Sequence, residues 1–549
     1  MESTEWLTNG SWRIGDDLQL FVDFDISHNG EIHSLVLTYP STFPDTPPMV
    51  TPKGGERLSG HQYGEGGELC LEYRPDNWEA SITGAMMVES AYRLISGERP
   101  HGNEEGIVRS AHQASVGRDS RGERTRFLID ARGVEILADL PIDTAVPITV
   151  WDRIEKNRAW VARLQTIGAD GSLWLQEGPT PSGSSILTGV AFRTSRRIDQ
   201  FKTNPSLFAE QLSVAFPEII AQLPQVPFSG FVLLGNEDSW IALNLFAHDG
   251  EQKVFGYKPI VVPEAHKRLP TDHEELPTKR IAIVGCGSVG SKIATMLARS
   301  GVRNFILVDD DIFFEENNVR NDLDARAIGQ HKVDSLNVRL NDIVAAPEVS
   351  CRRAALGQQE SAGTTESIMQ ELGQADLLVD ATADPRAFNL VSAVARRQRI
   401  PMVWCEVFAG GIGGVIARSR PDYDPVPNLA RNQIHAWCEQ QGVHWEHGLA
   451  TDYSAQIEEG PPLVATDADV TVIASHACRM AIDILTRTQS LFPSSAYMIG
   501  LTADWLFRAP FDTCPIELRP EGDWGERSNG ASEEDLKQLL ASLMQGSPS

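Results

Sequence analysis

Residues 281–311, "IAIVGCGSVGSKIATMLARSGVRNFILVDDD", decide the fold of the C-terminal half of this 549-residue chain. A short apolar run opens the stretch, a Gly-rich turn follows, apolar residues then recur at helical spacing, and a second apolar run ends in aspartates. Strand, turn, helix and strand in that order argue for a parallel sheet covered by helices. Gly285, Gly287 and Gly290 form G-x-G-x-x-G between the first strand and the helix, the context in which this pattern marks a phosphate-binding turn. Without Cβ atoms the backbone can approach phosphates, and a helix N-terminus favours negative charge. Asp309 ends the next strand, where a carboxylate can accept hydrogen bonds from ribose hydroxyls. At this point an NAD-dependent oxidoreductase and an ATP-using enzyme fit equally well.

The residues that follow break the tie. "DDDIFFEENNVRNDLDARAIGQHKVDSL" places Asp309, Asp311, Asn317, Arg320 and Lys332 in an order that resembles the ThiF-like and ubiquitin-activating adenylating enzymes. A hydride-transfer enzyme has no need of that set. An enzyme that joins a carboxylate to AMP does, because negative charge builds on the α-phosphate while pyrophosphate leaves, and cationic and amide donors must meet it. The resemblance implies ATP and Mg²⁺. The strand "DLLVDATADP" is similar to the family's acidic strand end, with D-A-T-A-D in place of D-x-T-D, so the magnesium role falls one residue late, on Asp384. A single carboxylate plus substrate phosphates suits Mg²⁺. The helix "FNLVSAVARRQ" and the strand "PMVWCEVF" continue the sheet.

In the N-terminal part, "LQLFVDFDI" and "IHSLVLTYP" alternate at period two and read as neighbouring antiparallel strands, and "SITGAMMVESAYRLI" reads as a helix. Between them lie "LTYPSTFPDTPPMV" and "HQYGEGGELCLEYRPDNW". These resemble the Pro-rich segment, the His-Pro-Asn element and the Gly-x-x-Cys-Leu element of ubiquitin-conjugating enzymes, over about residues 15–98. The resemblance implies a nucleophilic Cys70. Where the family has an Asn after the His, this chain has Gln62 or Tyr63 after His61. A thioester keeps an acyl group activated once ATP is consumed, and a thiolate both attacks and leaves readily.

A relay of this kind needs a second cysteine among seven scattered ones that include no CxxC pair. Cys286 in the Gly turn, Cys351, Cys405 and Cys478 are explained by packing. Two candidates remain: Cys438, in the long stretch after "GGIGGVIARSRP", and Cys514, in the Pro-bounded segment "RAPFDTCPIEL". The bacterial antiphage fusions that this layout resembles favour Cys514. His435, His444 and His447 lack the cysteine pair of a familiar zinc site.

The chain is thus read as an α/β multidomain protein. Residues 1–104 form an α+β domain similar to ubiquitin-conjugating enzymes. Residues 105–270 form a middle α/β domain of mixed strands and helices, closed by the charged linker "PEAHKRLPTDHEELPTKR". Residues 271–549 form a Rossmann-like adenylation domain, with "SEEDLKQLLASLMQ" as a terminal helix capped by Ser532. A formal charge of −27 repels nucleic acid, and no apolar run reaches the length of a membrane span, so a cytoplasmic home is expected. This layout resembles the transferases encoded beside cGAS-like nucleotidyltransferases (CD-NTases) in bacterial CBASS antiphage operons. The resemblance implies a homodimer that adenylates the C-terminal carboxylate of a partner protein, the CD-NTase. The acyl group then passes through Cys514 to Cys70 and on to an amine of a target. Activation of a ubiquitin-like protein, an NAD-dependent oxidoreductase and a non-catalytic scaffold are the alternatives.

Overall fold

The computed structural model of the chain describes residues 5–98, 116–198, 214–217, 229–262, 269–442, 454–455, 463–527 and 536–541, except 17, 57, 60, 65, 121, 157, 238 and 539. Its contacts divide it into two compact units, Met1–Gly122 and Glu123–Ser549.

In the first unit β1 (Leu7–Ile14), β2 (Leu20–His28), β3 (Glu31–Tyr39) and β4 (Met49–Pro52) form an antiparallel meander in chain order. The period-two stretches pair as read from the sequence, with Ile26 opposite His33 and Val22 opposite Leu37. Alternation puts Phe24, Ile26, Leu35 and Leu37 on one face. They meet Met87, Val88, Ala91, Leu94 and Ile95, which share one stripe of α1 (Gly84–Glu98). Apart from Ala91, each such side chain contributes about 1.5–3 kcal/mol on burial. A small hairpin, β5 (Gln62–Tyr63) with β6 (Glu68–Leu69), lies between β4 and α1, and α2 (Val116–Asp119) follows.

The second unit begins with a closed barrel. β7 (Thr125–Asp130), β8 (Ala145–Arg153), β9 (Trp160–Ile167), β11 (Ser185–Arg193), β12 (Gly230–Gly235), β13 (Trp240–His248) and β14 (Glu251–Val262) run in the order 9-7-14-13-12-11-8. β8 pairs back onto β9 and closes the ring, while β10 (Trp174–Leu175) extends the other edge of β9. The stretch "RFLIDARGVEILADL" is not one strand: Asp130 ends β7 and accepts from Gly133 N, capping α3 (Ala131–Ala138). Among the described residues the middle of the chain is therefore mostly β, where an α/β domain of strands with occasional helices was expected. The expected linker also packs in part, because Leu276 is fully buried in the next core.

That core belongs to an eight-stranded sheet in the order 17-16-15-18-19-20-23-24. β15 (Arg280–Val284), β16 (Asn304–Val308), β17 (Glu348–Arg352), β18 (Leu377–Asp380) and β19 (Met402–Val407) are parallel. β20 (Gly413–Ser419), β23 (Ala496–Gly500) and β24 (Thr513–Ile516) add antiparallel strands at one end. The short pair β21 (Ser454–Ala455) and β22 (Leu463–Val464) stands apart from it. One face is covered by α4 (Ser288–Arg299), α5 (Lys332–Asn341) and α9 (Asp467–Thr486). The other is covered by α6 (Ala362–Leu372), α7 (Pro385–Gln398) and α8 (Pro427–Gln440). The last helix is described at 536–538 and 540–541, and its expected Ser532 cap lies outside the described residues. No helix among the described residues is long and apolar enough to cross a membrane.

Candidate active site

The sheet order places β16 on one side of β15 and β18 on the other. The crevice outside the carboxyl ends of β15 and β18 is therefore the switch point at which open α/β sheets hold ligands. The Gly turn forms one wall. Gly285 has φ 88°, and a Cβ on Gly290 would stand 1.8 Å from the Gly285 carbonyl oxygen, so α4 can approach its own turn only through glycine. Gly287 is the N-cap of α4 and supplies no capping side chain, and a Cβ there would meet nothing within 4 Å. That open space over a helix N-terminus fits a phosphate.

The acidic residues after β16 brace this wall. Asp309 accepts from Cys286 N at 2.7 Å and from Asp311 N at 2.9 Å, and burial raises its pKa. Its oxygens are thus engaged first with the backbone, and each keeps one lone pair for a hydroxyl. Asp311 pairs with Lys332, the first residue of α5, whose side chain is 8% exposed. Asn317 accepts from Phe314 N at 3.0 Å, ordering the turn Glu315–Val319. Arg320 donates to the Ala465 carbonyl at 3.4 Å. Sequence reading missed Asn321, which donates to the Cys286 carbonyl at 3.3 Å and accepts from Leu323 N. Its signal was adjacency to Arg320 in "NNVRND".

The turn from Asp380 to Asp384 forms the opposite wall, so close that a Cβ on Gly285 would stand 3.0 Å from Ala381 and Thr382. Asp380 is buried and accepts from Thr382 N at 3.1 Å and Thr382 Oγ1 at 2.7 Å. Thr382 Oγ1 in turn accepts from Asp384 N. The residue inserted into the family's motif is accommodated at Ala383, which adopts φ 55°. Asp384 caps α7 by accepting from Arg386 N at 2.8 Å and pairs with the Arg386 guanidinium at 2.7 Å, which lowers its pKa. The carboxylate is ionised and 21% exposed. No group of three His, Cys, Asp or Glu side chains that could hold a metal occurs among the described residues. A magnesium ion held mainly by phosphates fits Asp384, provided that the exposed Arg386 side chain turns away.

Burial also raises Asp380 to about 6 and Glu406, on β19, to about 7. Arg431 of α8 donates to Glu406 Oε1 at 3.1 Å and lies over the Phe388 ring at 4.7 Å. The sequence signal for this cluster was a glutamate inside the apolar strand "PMVWCEVF".

The cysteines separate by burial. Cys286, Cys405, Cys438 and Cys478 are buried. Cys438 lies on α8 with none of its surface exposed and its thiol pushed up to about 11 by burial, which corrects its expected place in an open stretch. Cys514 is part-exposed and sits on the edge strand β24, not in a loop, and burial raises its pKa. Cys514, Met498, Val415 and Glu406 face one another in a single row across β24, β23, β20 and β19.

In the first unit Cys70 is part-exposed and follows β6, its N–H donating to the His61 carbonyl at 2.8 Å. Gln62 does not stand ready as an oxyanion donor. Its amide donates to the Gly67 carbonyl at 2.8 Å and accepts from Ser59 N at 2.9 Å, fixing the turn beneath Cys70. His61 lies 3.5 Å from Glu98. Beyond the cysteine, Asn77 donates to the Glu72 carbonyl at 2.9 Å, and Trp78 Nε1 donates to the Pro44 carbonyl at 2.7 Å. The first bond closes the turn after Cys70, and the second ties Trp78 to the Pro-rich segment.

Comparison with known proteins matches residues 265–508 to the model of the ThiF family. An uncharacterized protein y4qC of Sinorhizobium fredii is 27% identical over 86% of each chain. An ATP-dependent ubiquitin transferase-like protein Cap2 of Escherichia coli is 31% identical over 22% of this chain, a stretch that spans 20% of the relative's own length. The solved structure of E. coli MccB with ATP aligns with 45% of this chain and 67% of its own at TM-score 0.34 and 17% identity. Residues 265–508 thus match the ThiF family, and about a fifth of the chain is similar to a Cap2 ubiquitin transferase-like protein.

Proposed function

We propose that this chain is an ATP-dependent transferase that adenylates the C-terminal carboxylate of a partner protein and conjugates the resulting acyl group to an amine. The observation that carries the reading is the glycine turn at the sheet's switch point, faced by Lys332 and Asp311, within the segment that matches the ThiF family. A carboxylate oxygen attacks the α-phosphorus, the bond to the bridging oxygen breaks, and pyrophosphate leaves. The Gly turn and the N-terminus of α4 receive phosphate oxygens, and Lys332, released from Asp311, and Arg320 meet the charge that develops. Asn317 supplies an amide donor, and Asp309 takes a ribose hydroxyl. Asp384 would hold Mg²⁺, whose contribution is to screen the triphosphate.

The acyl group then moves from AMP to the Cys514 thiolate, expelling AMP, and from Cys514 to the Cys70 thiolate. An amine attacks the Cys70 thioester, loses a proton and expels the thiolate. Burial argues for Cys514 over Cys438 as first carrier, since a side chain with no exposed surface cannot meet an adenylate. The partner in this reading is of the CD-NTase class, and the setting CBASS defence, as the resemblance of the domain layout implies; the similarity to a ubiquitin transferase-like protein supports the transferase part.

Intact-mass spectrometry of the full chain with Mg·ATP and the partner tests the reading. A reductant-labile adduct is expected, and it should stall on Cys514 in Cys70→Ala and vanish in Cys514→Ala. ATP–pyrophosphate exchange that does not depend on the partner's terminal residue would count against adenylation.

A further inference from the structure

Four elements meet in one charged cluster beside the nucleotide crevice, and two of its members, Glu406 and Arg431, belong to none of the recognised motifs. Asp380 ends β18 opposite Trp404 of β19, and Glu406 follows two residues later on the same face. That face is covered by α7 and α8, and α8 contributes Arg431. Its guanidinium donates to Glu406 at 3.1 Å, stacks on Phe388 of α7 and lowers the pKa of buried Asp380 by its charge. Its Nε has no acceptor among the described residues. Phe388 stands one helical turn beyond Asp384, the N-cap of α7, and Phe388 N donates to the Asp384 carbonyl. Also near the cluster are Cys405 on β19 and Asp384 in the turn. Charges this far from water are costly unless something is gained from their geometry.

Building on the adenylation reading, we propose that Arg431 is a positioning residue of the nucleotide site. Through Glu406 it ties β19, the neighbour of β18, to the first turn of α7 and so fixes the Asp380–Asp384 turn in the shape that receives magnesium-bound phosphates. The linkage is continuous: Asp380 holds Thr382, Thr382 holds the backbone of Asp384, and Asp384 caps the helix whose first turn Arg431 grips through Phe388. Arg431 itself touches neither nucleotide nor reacting atoms. Its effect therefore belongs to the wall that carries Asp384 and not to the glycine wall opposite.

Titration calorimetry of ATP into the full chain, with and without Mg²⁺, tests this on the wild type, Arg431→Met and Arg431→Lys, with thermal unfolding as the folding control. In the wild type ATP affinity is expected to rise when Mg²⁺ is added. Arg431→Met is expected to lose about tenfold of that rise, roughly 1.4 kcal/mol, while affinity without Mg²⁺ stays within about threefold of wild type. Arg431→Lys, which keeps the charge but not the planar stack, should recover part of the loss. An undiminished rise in folded Arg431→Met, or an equal loss with and without Mg²⁺, overturns the proposal. If Arg431→Met does not fold, Arg431→Lys decides alone: a loss confined to the Mg²⁺ titration supports the proposal and a wild-type rise overturns it. A wild-type chain that binds no ATP under either condition would instead bring down the adenylation reading, and this inference with it.

Discussion

Gly290 and Glu406 show two ways in which a single residue governs the nucleotide site, one by absence and one by charge. A methyl group on Gly290 would lie 1.8 Å from the Gly285 carbonyl oxygen, so Gly290→Ala must push α4 off its own turn. A loss of about 3 kcal/mol in urea unfolding is expected, with ATP binding weakened in parallel. Glu406 is pushed up to about 7 from an ordinary 4.5. Well below its ordinary value it is protonated in folded and unfolded chains alike and has no effect on stability. As pH rises through this window the unfolded chain ionises first, so the folded state loses stability, and the whole cost is present above about 7. Glu406→Gln should therefore gain about 1–3 kcal/mol relative to wild type between about pH 5 and about pH 8, read as diverging melting temperatures. Equal offsets at both pH values would contradict the buried-carboxylate account. The glycines were legible because each has a steric reason tied to a motif. Glu406 and Arg431 were not, because their partners lie 25 residues apart in the chain and meet only through folding.

Elements differ in how far their local pattern fixes their surroundings. β2, β3 and α1 declare themselves by period two and by helical spacing, and β15 with α4 by the glycine turn between them. "RFLIDARGVEILADL" did not, since a single aspartate cap at Asp130 converts its second half from strand to helix. Cys438 was expected in a long stretch between elements and Cys514 in a Pro-bounded loop, yet one lies on the buried flank of α8 and the other on an edge strand. Native alkylation with iodoacetamide, read by peptide mass, separates them: Cys70 and Cys514 should label, whereas Cys438 should stay protected until α8 unfolds. Early labelling of Cys438 would reopen its candidacy as a carrier.

At the scale of the whole chain, the barrel and the eight-stranded sheet lie within one compact unit. Ser182, in the loop between β10 and β11, donates to Asp342 through N at 2.5 Å and through Oγ at 2.9 Å. Asp342 is the C-cap of α5, the helix that begins with Lys332. Asp342→Ala should cost about 2 kcal/mol, and a double-mutant cycle with Ser182→Ala should show strong non-additivity in thermal unfolding. Simple additivity would mean that the pair carries no coupling. This cross-link was invisible in the sequence, where 160 residues separate its ends and neither belongs to a motif.

The row that runs from Glu406 through Val415 and Met498 to Cys514 also works as a ruler. Three strand spacings make about 14 Å, which an extended chain crosses in about four or five residues. In the proposed relay the adenylate forms at the crevice of β15 and β18, farther along the sheet from Cys514 than Glu406 is, so a partner whose last residues are clamped against its folded body would be adenylated without handing its acyl group across. On that proposal the fitting substrate ends in a free tail of at least that length. Trimming the tail from within, with its terminal residue kept, should leave pyrophosphate exchange intact while the thioester on Cys514 fails to form.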